Sequence, residues 1–102
     1  MIVLNQNTLN NIYLTLAYKY NNIENDFDLI IEDTFTKSKR TVNVTDISIN
    51  KNSISKFELT STSTQSNQNL ASGIVYLKTN KRYIYSIVLD DKVLDTNYLI
   101  AI

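Results

Sequence analysis

Apolar and polar residues alternate along most of the chain, in short segments separated by polar stretches. A period of two is typical of β-strands with one face on a core and one in solvent. It is clearest in the segments Asn11–Tyr20, Phe27–Glu32 and Ser55–Ser61. We expect the following residues of these segments to face the core: Ile12, Leu14, Leu16, Phe27, Leu29, Ile31, Phe57 and Leu59.

The longest apolar runs flank a polar stretch in the second half of the chain. Ile74–Leu77 and Tyr83–Leu89 are separated by Lys78–Arg82, and Gly73, the only glycine, precedes the first run. Two apolar runs around a short polar connection are typical of a β-hairpin. We therefore predict a central hairpin here, with the rest of the chain packed around it.

Several shorter elements complete the pattern. Lys37–Arg40 predicts a hairpin turn, and Val42 and Val44 after it should point inward. Thr60–Asn69 contains no apolar residue, which predicts a long exposed loop, or a loop whose Thr-rich start extends the pairing of the preceding strand. Loops are also expected at Asn21–Asp26 and Asp46–Asn52. Further short strands are predicted at Ile2–Leu4, Thr34–Thr36, Thr41–Thr45, Lys92–Asp95 and Tyr98–Ile102.

Together these elements make seven to nine short strands and no helix in a chain of 102 residues. That length fits a single domain, residues 1–102. Many short strands at regular spacing predict an all-β sandwich or barrel, and alternation within the strands favours antiparallel sheets.

Composition narrows the possible chemistry. The chain has no histidine and no cysteine, and its only glycine cannot form a phosphate-binding loop. Two acidic clusters offer oxygens for Ca²⁺, namely Glu24, Asp26 and Asp28, and Asp90, Asp91 and Asp95. Their spacing matches no EF-hand, and we interpret them as solvated turn residues. We therefore expect neither enzymatic activity nor a cofactor or metal site.

Charge and hydropathy limit the possible partners. Ten basic and ten acidic residues give a net charge of zero, which argues against binding nucleic acid through its phosphates. No apolar run is long enough to span a bilayer, and the polar residues directly after Leu4 predict that no signal peptide is present.

Tyrosine is the most suggestive residue type, with seven copies in a chain without tryptophan. Strands favour tyrosine for ordinary packing, but tyrosine is also enriched at protein interfaces. Both interpretations stay open at this point. The candidate interface residues are Tyr13, Tyr18, Tyr20 and Tyr98.

Several segments resemble those of a known family. They are NIYLTL at Asn11–Leu16, FDLII at Phe27–Ile31, ISKFELT at Ile54–Thr60, NLASGIVYL at Asn69–Leu77 and YIYSI at Tyr83–Ile87. The chain resembles the small immunoglobulin-like β-sandwich virion proteins of tailed phages that infect Bacteroidetes, the crAss-like phages among them. Such proteins often carry glycine in the turn before YIYSI, where this chain has Asn80 and Lys81, but Asn tolerates the left-handed conformation that such a turn needs.

The resemblance implies an immunoglobulin-like antiparallel sandwich that serves as an auxiliary capsid or decoration protein. Its partners would be the major capsid protein and neighbouring copies of itself, and it would reside in the virion after assembly in the cytoplasm of a host bacterium. Two alternatives remain: a phage tail, neck or head-fibre component, and a cellular carbohydrate- or protein-binding sandwich module.

Overall fold

The computed structural model of the protein describes residues 1–14, 26–45, 55–89 and 91–102. Two short 3₁₀ helices, Gln65–Asn67 and Leu70–Ser72, are the only helical segments among these residues. The strands are β1 (Ile2–Leu4), β2 (Thr8–Leu14), β3 (Asp26–Asp33), β4 (Lys39–Thr45), β5 (Ser55–Thr62), β6 (Ile74–Tyr76), β7 (Arg82–Leu89) and β8 (Lys92–Ala101).

The described strands form two sheets that pack face to face. One has five strands in the order β1-β8-β7-β3-β4, and the other has three in the order β2-β5-β6. The run β8-β7-β3-β4 facing the pair β2-β5 corresponds to strands G-F-C-C′ facing B-E of an immunoglobulin-like sandwich. The predicted all-β sandwich is thus confirmed, although only four of the six strand pairs are antiparallel: β1 with β8 and β5 with β6 run parallel.

The core lies between the sheets and contains the residues that the alternation predicts. Phe27 from β3 meets Phe57 from β5 edge to face, with ring centroids 5.6 Å apart, so this pair links the two sheets. Leu14 is half-buried at the margin of the core, and the predicted core residue Leu16 lies outside the described residues. The other predicted core residues are all buried, namely Ile12, Phe27, Leu29, Ile31, Val42, Val44, Phe57 and Leu59.

The predicted central hairpin is wrong. β6 lies in the three-stranded sheet and pairs with β5, whereas β7 lies in the five-stranded sheet between β8 and β3. The connection is stabilised by bonds to other groups instead of a hairpin ladder: Lys78 N–H donates to Tyr83 Oη (3.0 Å) and Asn80 N–H donates to Ala101 O (2.7 Å). Because the chain crosses from one sheet to the other here, each apolar run buries one face in the core. The same local pattern of apolar and polar residues is expected for a hairpin, so the sequence does not distinguish the two arrangements.

Three boundaries also differ from the prediction. Thr34–Thr36 is part of the β3–β4 turn, and Lys39 and Arg40 begin β4, where they pair with Glu32 and Ile31. β5 ends at Thr62, one residue beyond the predicted strand Ser55–Ser61, and so takes in the Thr-rich start of the predicted loop. The two predicted C-terminal segments form one strand, β8, whose register shifts opposite Ile87 and Val88 at a β-bulge. The predicted loops at residues 21–25 and 46–52 lie outside the described residues.

A short crossover between the sheets joins β1 to β2. The side chain of buried Asn10 holds it: Oδ1 accepts from Asn5 N–H (2.8 Å), and Nδ2 donates to Asn5 O (3.0 Å) and Thr8 O (3.1 Å). Asn7 adopts a left-handed conformation with φ 61° within the crossover. The chain therefore leaves the edge of one sheet and enters the edge of the other within a few residues.

Asn and Asp take the place of glycine in several turns of the described residues. Four described residues other than glycine have positive φ, and three of them are Asn or Asp, the residues that tolerate this conformation best. Asn80 at φ 63° is among them, so the connection before β7 needs no glycine. The four are Asn7, Lys37, Asn80 and Asp91.

Removing the aromatic contact between the sheets should strongly destabilise the fold. We expect Phe57→Ala to lower the free energy of unfolding by ~3–5 kcal/mol, because it deletes a buried ring and leaves a cavity. Thr41→Ala, at an exposed position of β4, should cost less than about 1 kcal/mol. Urea denaturation followed by circular dichroism measures both, and similar losses for the two variants would contradict the assigned core.

Candidate protein-binding surface

The outer face of the five-stranded sheet carries an apolar surface that crosses β1, β8, β7 and β3. Three of its side chains are strongly exposed, with 61% of Val93, 53% of Val3 and 43% of Tyr98 accessible to solvent. The others are half-buried by their neighbours on the same face. We call this surface the outer apolar band; it consists of Val3, Ile30, Ile84, Val88, Val93, Tyr98 and Ile100.

Strand register brings the residues of this band together around one polar pair, in which Ser86 Oγ and Thr96 Oγ1 lie 3.2 Å apart. Ile84 lies opposite Tyr98, and Val88 lies opposite Val93, so β7 and β8 contribute two apolar pairs. Opposed side chains on one sheet face are within contact distance. The band is extended toward β1 and β3 by two further register relations, Val3 opposite Ile100 and Ile30 opposite Ser86.

Charged side chains of both signs border the band. Arg82 precedes Ile84 on the same face, and its guanidinium carbon lies 4.9 Å from the centroid of the Tyr98 ring, a cation–π arrangement. Glu32 lies opposite Ile84, and Asp28 lies opposite Val88. An apolar centre with a mixed polar rim is the usual anatomy of a protein–protein interface.

The candidate tyrosines do not form one surface. Tyr98 belongs to the outer apolar band on β8, whereas Tyr13 lies on β2 in the other sheet. Tyr13 is 59% exposed, and Lys56 Nζ lies 5.9 Å from its ring centroid. Tyr18 and Tyr20 lie outside the described residues. The two described candidates therefore occupy opposite faces of the sandwich.

Sequence reasoning missed most of the outer apolar band, although a signal was present. Strands buried on both faces have nearly continuous apolar runs, whereas half-exposed strands alternate. β7 reads RYIYSIVL and has apolar residues at both parities, with Tyr83, Tyr85 and Ile87 in the core and Ile84 and Val88 on the outer face. Apolar residues at both alternating positions of β7 indicated that its outer face, as well as its inner face, carries an apolar surface.

An ion pair beyond the band joins the β3–β4 turn to the β6–β7 connection. Asp33 Oδ1 accepts from the backbone N–H groups of Phe35 (2.8 Å) and Thr36 (3.2 Å), and Asp33 Oδ2 lies 2.6 Å from Lys81 Nζ. The hydrogen bond from Lys81, reinforced by the backbone donors, lowers the pKa of the Asp33 carboxyl well below its usual range. These bonds hold the β3–β4 turn against the β6–β7 connection at one end of the sandwich.

A second polar contact lies at the inner face. Buried Tyr85 donates through its hydroxyl to Asp95 Oδ2 at 2.8 Å, which joins β7 to β8. Burial, with a further contribution from the Asp95 carboxylate, raises the pKa of the Tyr85 hydroxyl, so the phenol remains protonated. We assign this contact a structural role, because it satisfies a buried hydroxyl.

A shallow cavity of about 400 Å³ is lined by Asn7, Asn67, Ile74 and the end of β5. Its polar groups already bond to one another: Asn7 Oδ1 accepts from Thr62 Oγ1 (3.3 Å) and from Ser63 N–H (3.2 Å). Elsewhere in the described ranges, no three Asp or Glu side chains lie together in a way that could hold a metal ion. The outer apolar band is thus the best-supported candidate site.

Comparisons with known proteins find no family model, no curated protein and no solved structure that matches this chain. Within the described residues, no helix has the length and apolar character needed to cross a bilayer.

The bonds of Asp33 should make stability depend on pH. Because the folded-state pKa is below the ordinary value of about 3.9, the unfolded chain binds a proton more readily, and this contribution is lost as the pH falls below about 4. We expect wild type to be more stable than Asp33→Asn at about pH 6, and the difference to shrink toward about pH 3. Urea midpoints at both pH values measure this.

Asp28→Asn provides a matched control, because Asp28 is an exposed carboxylate on the same strand. Its difference from wild type should vary much less with pH. A difference between wild type and Asp33→Asn that stays constant over this range would show that the Asp33 carboxylate does not stabilise the fold through its charge.

Proposed function

We propose that this protein is a non-enzymatic structural protein of a bacteriophage virion, which binds and reinforces the shell of the major capsid protein. The observation that carries this proposal is the outer apolar band, a partly exposed apolar surface on the face of a five-stranded sheet. The virion and the capsid partner come from the family resemblance described above, and the band supplies the attachment surface that such a role requires.

The size of the sheet face suits this role. The five strands contain 36 residues. At a spacing of about 4.8 Å between strands and a rise of about 3.3 Å per residue, their face covers roughly 570 Å², which approaches the roughly 800 Å² per partner of a standard specific interface. We expect a single interface of this size to bind its partner with moderate affinity. Repetition on a symmetric shell, with contacts between neighbouring copies, would hold each copy more firmly than a single contact does.

The chemistry of the band indicates the kind of surface it fits. Contacting groups on a partner should be apolar opposite Ile84 and Val88 and should bear both charges at the rim, opposite Arg82 and Asp28. A hydrogen-bonding group fits between the two apolar positions, where the hydroxyls of Ser86 and Thr96 lie. The ring of Tyr98, flanked by Arg82, has the character of an interface anchor. A folded protein surface meets these requirements.

Copy number in purified phage particles tests the proposed location. Quantitative mass spectrometry against the major capsid protein should find this protein in the hundreds per particle. Roughly six to a few dozen copies would instead support the alternative of a tail, neck or head-fibre component, since those parts occur once or a few times around a symmetry axis. Absence from particles would refute the virion role.

A charge within the band should weaken attachment to the shell. We expect Val93→Asp to lower affinity for capsids that lack the protein by about tenfold or more, because a buried unpaired carboxylate is costly at an apolar contact. Thr64→Asp is the matched control: an exposed residue of similar shape in the segment after β5, which belongs to the other sheet. Co-sedimentation with such capsids measures both variants.

Equal binding of wild type, Val93→Asp and Thr64→Asp would show that the outer apolar band is not the attachment surface. Circular dichroism of each variant confirms that lost binding does not reflect lost folding.

A further inference from the structure

β2 is an edge strand whose outer backbone groups meet no partner among the described residues. The direction of these groups follows from β5, where Thr60 N–H donates to Gly73 O (3.0 Å) and Thr62 O accepts from Leu77 N–H (3.1 Å), both on the β6 side. Leu9 lies opposite Thr60 in the antiparallel register. Because backbone groups alternate in direction along a strand, those of Leu9, Asn11 and Tyr13 point away from β5, toward the free edge.

The sequence of this edge carries none of the usual protection against pairing. Exposed edges are commonly guarded by lysine, proline, a bulge or short length. β2 is seven residues long and reads TLNNIYL, without charge, proline or glycine. Its outward side chains include Leu9 at 55% and Tyr13 at 59% exposure.

The other described edges are guarded. β4 begins with Lys39 and Arg40, and β1 has only three residues. β6 is equally short, and side chains occupy its edge: Tyr76 N–H donates to Gln68 Oε1 (3.0 Å), and Tyr76 O accepts from Arg40 Nη1 (2.8 Å). Among the described strands, β2 alone offers a long, uncharged edge.

We propose that β2 is a self-association site, at which it pairs antiparallel with β2 of a second copy around a two-fold axis through Asn11. The two three-stranded sheets would then form one continuous sheet of six strands. This inference does not depend on the proposed function, since it uses a different surface and a different partner.

The strand is self-complementary in this register. Asn11 meets Asn11 of the second copy, and Leu9 meets Tyr13 in both directions, so the three residues whose backbone groups face the edge pair with one another. Each such pair exchanges two N–H···O bonds, and the aliphatic–aromatic pairs stack on the solvent face. No charge on β2 faces its own copy, and the contact closes after two copies, as an isologous interface must.

A cysteine at the axis tests the geometry, and the chain has no natural cysteine to interfere. Hydrogen-bonded antiparallel partners have Cα atoms ~5.5 Å apart, within the range of ~4.4–6.8 Å that a disulfide spans. Asn11→Cys should therefore form a disulfide-linked dimer under mild oxidation. Glu58→Cys is the matched control, because Glu58 lies opposite Asn11 on β5 and its symmetry mate would be three strand spacings away, about 14 Å.

A dimer band for Asn11→Cys but not for Glu58→Cys on a non-reducing gel supports the proposal. No dimer for Asn11→Cys, or equal cross-linking of the two variants, overturns it.

Light scattering on the cysteine-free protein gives a second readout. Wild type should approach twice the monomer mass as its concentration rises, and Asn11→Pro should remain monomeric, because proline removes an N–H that points to the free edge and leaves the ladder to β5 intact. Leu9→Lys places a charge on the same edge and should also remain monomeric. This variant keeps the test decisive if Asn11→Pro fails to fold. Thr41→Lys on β4 should still dimerise. A wild type that stays monomeric at every concentration, or a dimer that survives Leu9→Lys, overturns the proposal.

Discussion

The structure depends on one constraint: two sheets of unequal width must cover a single apolar core. The inner faces meet through Phe27 and Phe57, and the alternation of each strand supplies the remaining buried side chains. β1 joins the wider sheet instead of pairing with β2, and Asn10 holds the crossover that makes this possible. The narrow sheet is therefore left with a free edge at β2, while the wide sheet exposes a broad outer face.

These two surfaces follow from the same division of strands, but they differ in character. The outer apolar band uses side chains on a sheet face, so its specificity depends on shape and on the charges around it. The β2 edge uses backbone groups, and its register is fixed by the side chains that alternate beside them. A protein that carries both could bind a shell with its face and a neighbour with its edge, because the surfaces lie on different sheets.

Much of the fold could be predicted from the sequence, because strand periodicity is a local property. The buried positions of Phe27, Phe57 and Leu59 follow directly from it. Pairing is not local: the connection between β6 and β7 looks like a hairpin turn, yet Asn80 bonds to Ala101 at the far end of the chain. The outer apolar band was missed for the same reason, since it is assembled from four strands and appears only in their register. Tyr98 was identified from residue type alone, and its neighbours were not.

The pairing of β1 with β8 also bears on how the protein is made. Ile2 lies opposite Leu99, so the first strand waits until about a hundred further residues have been synthesised before its sheet partner leaves the ribosome. Until then β1 has no strand to pair with, and the five-stranded sheet lacks its edge strand. Contacts between residues so distant in sequence slow folding. Pairing of β1 therefore has to follow the synthesis of β8, and the open edges of the incomplete sheet are where nascent chains are most exposed to association with one another.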